Sequence, residues 1–209
     1  MRQECRGRIL TGLVVCVVMA ACAQAEVITI AIEARVDAVT DTANVFGGAI
    51  QAGHTITGYY AYESTTPDTN PSSTYGAYWQ THVGCAISFT IAGFGFSTDG
   101  NEMNWRVGIE NDYHDTYSIR SYNNLPLSDG TPVESIYWQL EDSTGMALTN
   151  TDLPTTAPVL TDWDYNRLIL ETSRTFSIDA HVTKGEVVPE PSTMLLIVVG
   201  AFVIRRRLT

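Results

Sequence analysis

Val27-Ile28-Thr29-Ile30-Ala31-Ile32-Glu33-Ala34-Arg35-Val36 alternates at every step. Ile28, Ile30, Ile32, Ala34 and Val36 share one side. Thr29, Ala31, Glu33 and Arg35 share the other. A period of two marks a strand with one face in a core. The same reading repeats along the chain. Thr55 to Glu63 is rich in β-branched and aromatic residues, which suit a pleated surface. Tyr75 to Gln80 reads as a short edge strand. Val83 to Ala92 is a further strand, with Phe94 to Phe96 extending it past a bulge at Gly93. Met103, Trp105, Val107 and Ile109 alternate on the next. Tyr113 to Tyr122 follows, with Tyr117 and Ile119 inward. Ile136, Trp138 and Leu140 mark another strand, Leu168 to Glu171 a short one, and Phe176, Ile178, Ala180 and Val182 the last. Turn signals at Asp99-Gly100-Asn101 and Asp129-Gly130, and the proline-bearing loops 64–73 and 148–158, separate them. Eight or nine strands and no amphipathic helix predict an all-β body, an antiparallel β-sandwich of jelly-roll or immunoglobulin-like kind.

Both ends of the chain differ from this body. Arg2, Arg6 and Arg8 precede an apolar run from Ile9 to Ala21, and Ala23-Gln24-Ala25 offers a small-x-small cleavage site before Glu26. Residues 1–25 therefore read as a secretory signal peptide. Met19-Ala20-Ala21-Cys22 offers a competing start at a lipidated Cys22. At the other end stand Pro189-Glu190-Pro191, an apolar run from Met194 to Ile204, and Arg205-Arg206-Arg207. Two prolines bar a regular element from running through. The apolar run can form a helix in lipid, a short C-terminal transmembrane segment, and the arginines belong on the cytoplasmic side. Ser192 to Ile204 is thirteen residues. As a helix that is about 20 Å, short for a bilayer core of about 30 Å.

This order of Pro-Glu-Pro, apolar span and arginine cluster resembles the PEP-CTERM sorting signal of exported proteins in bacteria that make extracellular polysaccharide. The resemblance implies recognition of Pro189, Glu190 and Pro191 by an exosortase, a membrane protease, with Arg205, Arg206 and Arg207 as the cytoplasmic anchor. Gly58-x-Tyr60-x-Tyr62-Glu63-Ser64-Thr65-Thr66-Pro67-Asp68 and Leu140-x-Asp142-x-x-Gly145, followed by Leu153-Pro154, resemble segments of ectodomains bearing the same tail. That likeness implies a β-rich body and no particular activity. The chain then divides into signal peptide 1–25, body 26–184, linker 185–188 and sorting tail 189–209. Signal peptidase, exosortase and the bacterial membrane are the expected partners, and the cell surface or extracellular matrix is the expected destination.

Charge narrows the body's partners. Six of the twelve Lys+Arg lie in the two ends, but only Glu4 and Glu190 of the 23 Asp+Glu do, leaving the body with a formal charge of −15. Nucleic acid and anionic lipid are poor partners for it. Of four cysteines only Cys85 lies in the body, in register with Ile87, Phe89 and Ile91, so a buried thiol is expected.

The residues expose no catalytic motif. His54, His82, His114 and His181 lack zinc spacing, and no nucleophile elbow or phosphate loop is present. Glu102 with Glu110, or Glu134 with Glu141, are the pairs a glycosidase would need. Such pairs arise readily in an acidic body. Asp99-Gly100-Asn101-Glu102 and Asn111-Asp112-x-x-Asp115 are oxygen-rich turns where calcium could bind, although Asx turns explain them without an ion. No cofactor or metal is otherwise expected. Tyr59, Tyr60, Tyr62, Tyr78 and Trp79 crowd one region and are the glycan-binding candidates, since sugar rings stack on aromatic faces. The first reading is a non-enzymatic, glycan-associated envelope or matrix protein. The alternatives are a carbohydrate-active enzyme and a lectin-like module.

Overall fold

A computed structural model describes residues 26–102 and 104–189. They form ten strands: β1 Val27–Asp41, β2 Thr55–Glu63, β3 Tyr75–Gln80, β4 Ala86–Ile91, β5 Phe94–Ser97, β6 Trp105–Asn111, β7 Asp115–Ser121, β8 Ser135–Asp142, β9 Tyr165–Thr172 and β10 Phe176–Val187. A single 3₁₀ turn, Leu160–Asp162, is the one helical element among the described residues. The expected signal peptide, the apolar run, Glu190, Pro191 and Arg205–Arg207 lie outside those residues. No helix among them is long and apolar enough to cross a membrane.

All ten strands hydrogen-bond into one antiparallel sheet, in the order β3-β6-β7-β8-β9-β10-β1-β2-β4-β5. The body is all-β, as the alternation predicts. The expected division into two sheets is replaced by one sheet that curls over its own inner face. β1 is its longest strand, bonded to β10 on one side and β2 on the other. Register shifts at Glu33/Ala34 and Val36/Ala38 mark bulges, which bend a strand and raise its twist. The curl brings distant strands together. The Tyr60 hydroxyl on β2 lies 3.0 Å from that of Tyr117 on β7, and the Tyr60 and Trp138 rings are 5.9 Å apart.

Ile28, Ile30, Ile32, Ala34 and Val36 are all buried, as their alternation requires. Phe46, in the loop after β1, packs edge-on against Phe94 at 5.1 Å and Phe176 at 4.9 Å, closing one end of the core. The Asp41 carboxylate fixes that loop by accepting from the Val45 and Phe46 amides.

Side-chain and backbone hydrogen bonds tie each edge of the sheet to other parts of the body. Gln80, at the end of edge strand β3, accepts from the Glu63 amide and the Thr66 hydroxyl, linking β3 to the end of β2. At edge strand β5, Thr98 bridges Asn124, and the Leu125 amide donates to Ser97. The β3 edge is covered too. Asp68 accepts from the Ala77 amide, and the Thr69 amide donates back to Ala77. A covered edge cannot template pairing with another chain. Cys85 is buried beside Gln80, and burial pushes its thiol pKa up.

Several boundaries differ from expectation, and β9, expected as a short strand over Leu168 to Glu171, runs from Tyr165 to Thr172. Gly93 is no bulge. Ala92 and Gly93 both have positive φ (49° and 88°) and reverse the chain, so Phe94 pairs with Ile91 across a two-residue hairpin. β4 starts at Ala86, with Val83 exposed in the preceding turn. The linker of 185–188 is largely strand: Gly185, Glu186 and Val187 pair with Ile32, Ala31 and Ile30, and the Val188 amide donates to Thr29. The tail therefore leaves the body directly beside the start of β1.

Candidate functional site

Each strand that buries one face must present the other. On β3, β6, β7 and β8 that outer face carries one straight cross-strand row. Trp79 pairs with Arg106, Arg106 with Arg120, and Arg120 with Tyr137. The guanidinium of Arg106 lies 5.7 Å from the Trp79 ring centroid. That of Arg120 lies 5.1 Å from Tyr122 and 5.2 Å from Tyr137. Trp79 and Tyr122 are themselves 5.8 Å apart. Aromatic rings and guanidinium planes thus form one continuous strip. Trp79 and Tyr122 are 36% and 39% exposed, so part of each ring is open to a ligand. A second row, Gly108, Ser118 and Gln139, runs alongside and supplies hydrogen-bonding groups. The Tyr137 hydroxyl donates to Gln139, whose amide donates to Glu141. Partial burial raises the Tyr137 phenol, which stays a neutral donor.

The sequence candidates separate. Tyr60, Tyr62 and Tyr78 point inward and are buried, which removes them from any glycan surface. Their hydroxyls serve the fold instead. Tyr60 meets Tyr117, Tyr62 donates to the Pro154 carbonyl, and Tyr78 donates to that of Thr151. The last two tie down the long β8–β9 connection. Burial raises the Tyr60, Tyr62 and Tyr117 phenols, so they stay protonated. Tyr59 is exposed but lies on β2, between Ala31 and Ser88, far from β3 in the strand order. Only Trp79 of the five belongs to the row. Arg106, Arg120, Tyr122 and Tyr137 were not anticipated. Arg106 and Arg120 sit equally far from Tyr113 at the β6–β7 turn, a symmetry that could have predicted their pairing.

The paired carboxylates do not meet. Glu102 and Glu110 lie at opposite ends of β6, and Glu134 and Glu141 at opposite ends of β8. At about 3.3 Å per residue each pair is separated by more than 20 Å, well beyond glycosidase spacing. A pocket of about 270 Å³ instead gathers Glu110, Asp112, Glu141, Asp142 and Asp164 with Tyr113, His114 and Tyr165. Four of these five carboxylates already accept within the fold, Asp112 from the Tyr113 amide and Glu141 from Gln139. Asp164 accepts from Ser143. Asp142 accepts from the amides of Thr144, Met146 and Ala147, which explains its place in the Leu140-x-Asp142-x-x-Gly145 motif. The calcium candidates are engaged in part, with the buried Oδ1 of Asp115 left without a partner among the described residues. Asp99 accepts from the Asn101 amide, and Asp115 from that of Leu148. Among the described residues, no group of three or more His, Cys, Asp or Glu side chains is placed to hold a metal.

The amides lower the Asp142 pKa from 3.8 to about 2. A carboxyl more acidic when folded than when unfolded stabilises above its unfolded pKa, and that contribution falls away as pH drops toward the folded value. Asp142 should thus hold the 143–148 loop down to pH 4 and release it between 4 and 2. An acid titration by near-ultraviolet dichroism checks this, and Asp142→Asn should lose that part of the transition.

The tail supplies the other functional element. Residues 187–207 match the family model described as PEP-CTERM protein-sorting motif. The chain carries a PEP-CTERM sorting tail. Its matched span begins at Val187, the last residue of β10, so the sorting motif is joined to the sheet with no spacer. The motif supports an exported protein sorted by an exosortase, passing through the membrane toward the cell surface. No curated protein and no solved structure matches the chain.

Proposed function

We propose that this is a non-enzymatic protein of the cell surface or extracellular matrix whose body binds polysaccharide. Signal peptidase removes residues 1–25, and an exosortase-type protease processes the PEP-CTERM tail. The observation that carries the binding reading is the outer row of Trp79, Arg106, Arg120 and Tyr137, with Tyr122 packed against it. Sugar rings present apolar faces to stack on such aromatics. Ser118, Gln139 and the guanidiniums supply polar partners for hydroxyls. The sorting motif supports delivery to a place where such polymers lie.

Trp79→Ala is expected to weaken retention of the full chain on the host's own polysaccharide by about tenfold, the equivalent of one lost stacking contact. Retention unchanged by this variant would remove the row from the account. One observation favours a carbohydrate-active enzyme as the second reading. Glu110 and Glu141 face the same pocket from two strands apart, about 10 Å between backbones. That is close to the spacing of an inverting pair. Release of new sugar ends by the full chain, abolished by Glu141→Gln, would favour that reading over binding alone.

A further inference from the structure

Arg106 and Arg120 are direct cross-strand partners, two like charges side by side. Such a pair is unfavourable unless something neutralises it. Nothing in the described fold does. The ion pairs of the described residues are His82–Glu63, Arg167–Asp179, His181–Asp37 and Lys184–Glu186, and neither arginine is among them. The buried Nε atoms of both arginines also lack a hydrogen-bond partner. The body holds only six basic side chains against 21 acidic ones, so carboxylates to quench the pair are abundant in composition. The fold brings none of them into an ion pair with Arg106 or Arg120 and leaves these two guanidiniums stacked on aromatic rings.

Resting on the polysaccharide reading above, we propose that this row selects glycans bearing carboxylates, polymers that contain uronic acid residues. A carboxylate seated across Arg106 and Arg120 would accept paired N–H bonds in the geometry a guanidinium favours. Trp79, Tyr122 and Tyr137 would stack the rings on either side. The body's charge of −15, and Glu110 and Glu141 along the same face, argue against polymers with a dense, unbroken row of negative charge. Isolated carboxylates on a sugar chain fit a single pair of adjacent guanidiniums.

The test uses the full chain in detergent, with immobilised half-esterified polygalacturonate, whose free carboxylates are spaced apart, its full methyl ester and dextran as probes. The ester keeps the sugar backbone and removes the charge. The expected result is binding to the half-esterified polymer that weakens with salt. It should fall at least about tenfold for the ester and for the double variant Arg106→Gln/Arg120→Gln, the loss expected of a charge-assisted bond. Arg106→Lys/Arg120→Lys keeps the charge without the planar fork and should bind between the two. It also serves where the Gln variant folds poorly. Equal binding to acid and ester would overturn this selectivity while leaving polysaccharide binding in place. Binding to none of the three probes or to the host's own polymer would overturn the broader reading as well. Retention unaffected by either double variant, or traced by sedimentation to self-association through this face, would overturn the assignment to Arg106 and Arg120.

Discussion

Gly58→Ala should abolish a stable fold. Gly58 lies on β2 in the inward set with Ile56, Tyr60 and Tyr62, directly opposite Phe89 on β4. A Cβ at that position would stand 2.0 Å from the Ser88 carbonyl oxygen and 2.7 Å from the Phe89 Cα. Both are backbone atoms of a paired strand, so no rotamer change relieves the contact and β2 must part from β4. Overpacking of a core commonly costs 1–3 kcal/mol, and a clash with paired backbone belongs beyond that range, at about 4 kcal/mol or more. Small domains have only about 5–15 kcal/mol in total. Chemical denaturation followed by far-ultraviolet dichroism should show no cooperative transition, or a sharply lowered midpoint. Adding Phe89→Ala should not rescue the variant, because the nearest clash is with the Ser88 oxygen. Rescue would place the conflict in the Phe89 ring and contradict this explanation. The glycine that opens the Gly58-x-Tyr60-x-Tyr62 motif is thus a packing requirement of the curled sheet.

Trp138→Ala should be the second most damaging change. The ring is fully buried on β8, 5.9 Å from both Tyr60 and Tyr117, where the two halves of the sheet meet. Its Nε1 donates to Asn166 on β9 at 3.0 Å, and Asn166 in turn bonds the Val182 backbone on β10 at both ends of its amide. Truncation removes the ring from the core and leaves a cavity between Tyr60 and Tyr117, at a cost of about 4 kcal/mol. Trp138→Phe keeps much of the volume and loses only the bond to Asn166, whose oxygen still accepts from Val182. It should cost about 1–2 kcal/mol. Urea midpoints of the two variants against the wild type measure the difference. Equal losses would mean that the hydrogen bond, rather than the ring, holds the halves together.

The β1 alternation placed five buried residues correctly because a period of two depends only on neighbours. The bounds of β2 and the edge position of β3 were legible for the same reason. How strands join was not, since one curled sheet and two stacked sheets ask for the same alternation. The decisive pairings, β1 with β10 and β3 with β6, link segments far apart in the chain. β10 continues through Lys184 and Gly185 only because β1 lies beside it, a tertiary effect that overrides local propensity. Ala92-Gly93 lacks the Asn-Gly signature of a tight hairpin and reads equally well as a bulge.

The site was less legible than the fold. Tyr60 and Tyr62 cluster in sequence with Tyr59 and Tyr78, and proximity suggested a surface. Their parity with Ile56 on β2 already placed them inside. The proposed surface draws Trp79, Arg106, Arg120, Tyr122 and Tyr137 from segments spread over about sixty residues, and only the register brings them together. The tail was legible because its three features lie in order within one short span, and the matched residues 187–207 agree with it.

The most direct test of export and sorting is the intact mass of the protein recovered from the surface fraction of its own host. The account predicts a chain that begins at Glu26 and has lost the apolar run with Arg205, Arg206 and Arg207. A species still carrying those three arginines, held in the membrane fraction, would contradict it and make the tail a plain anchor.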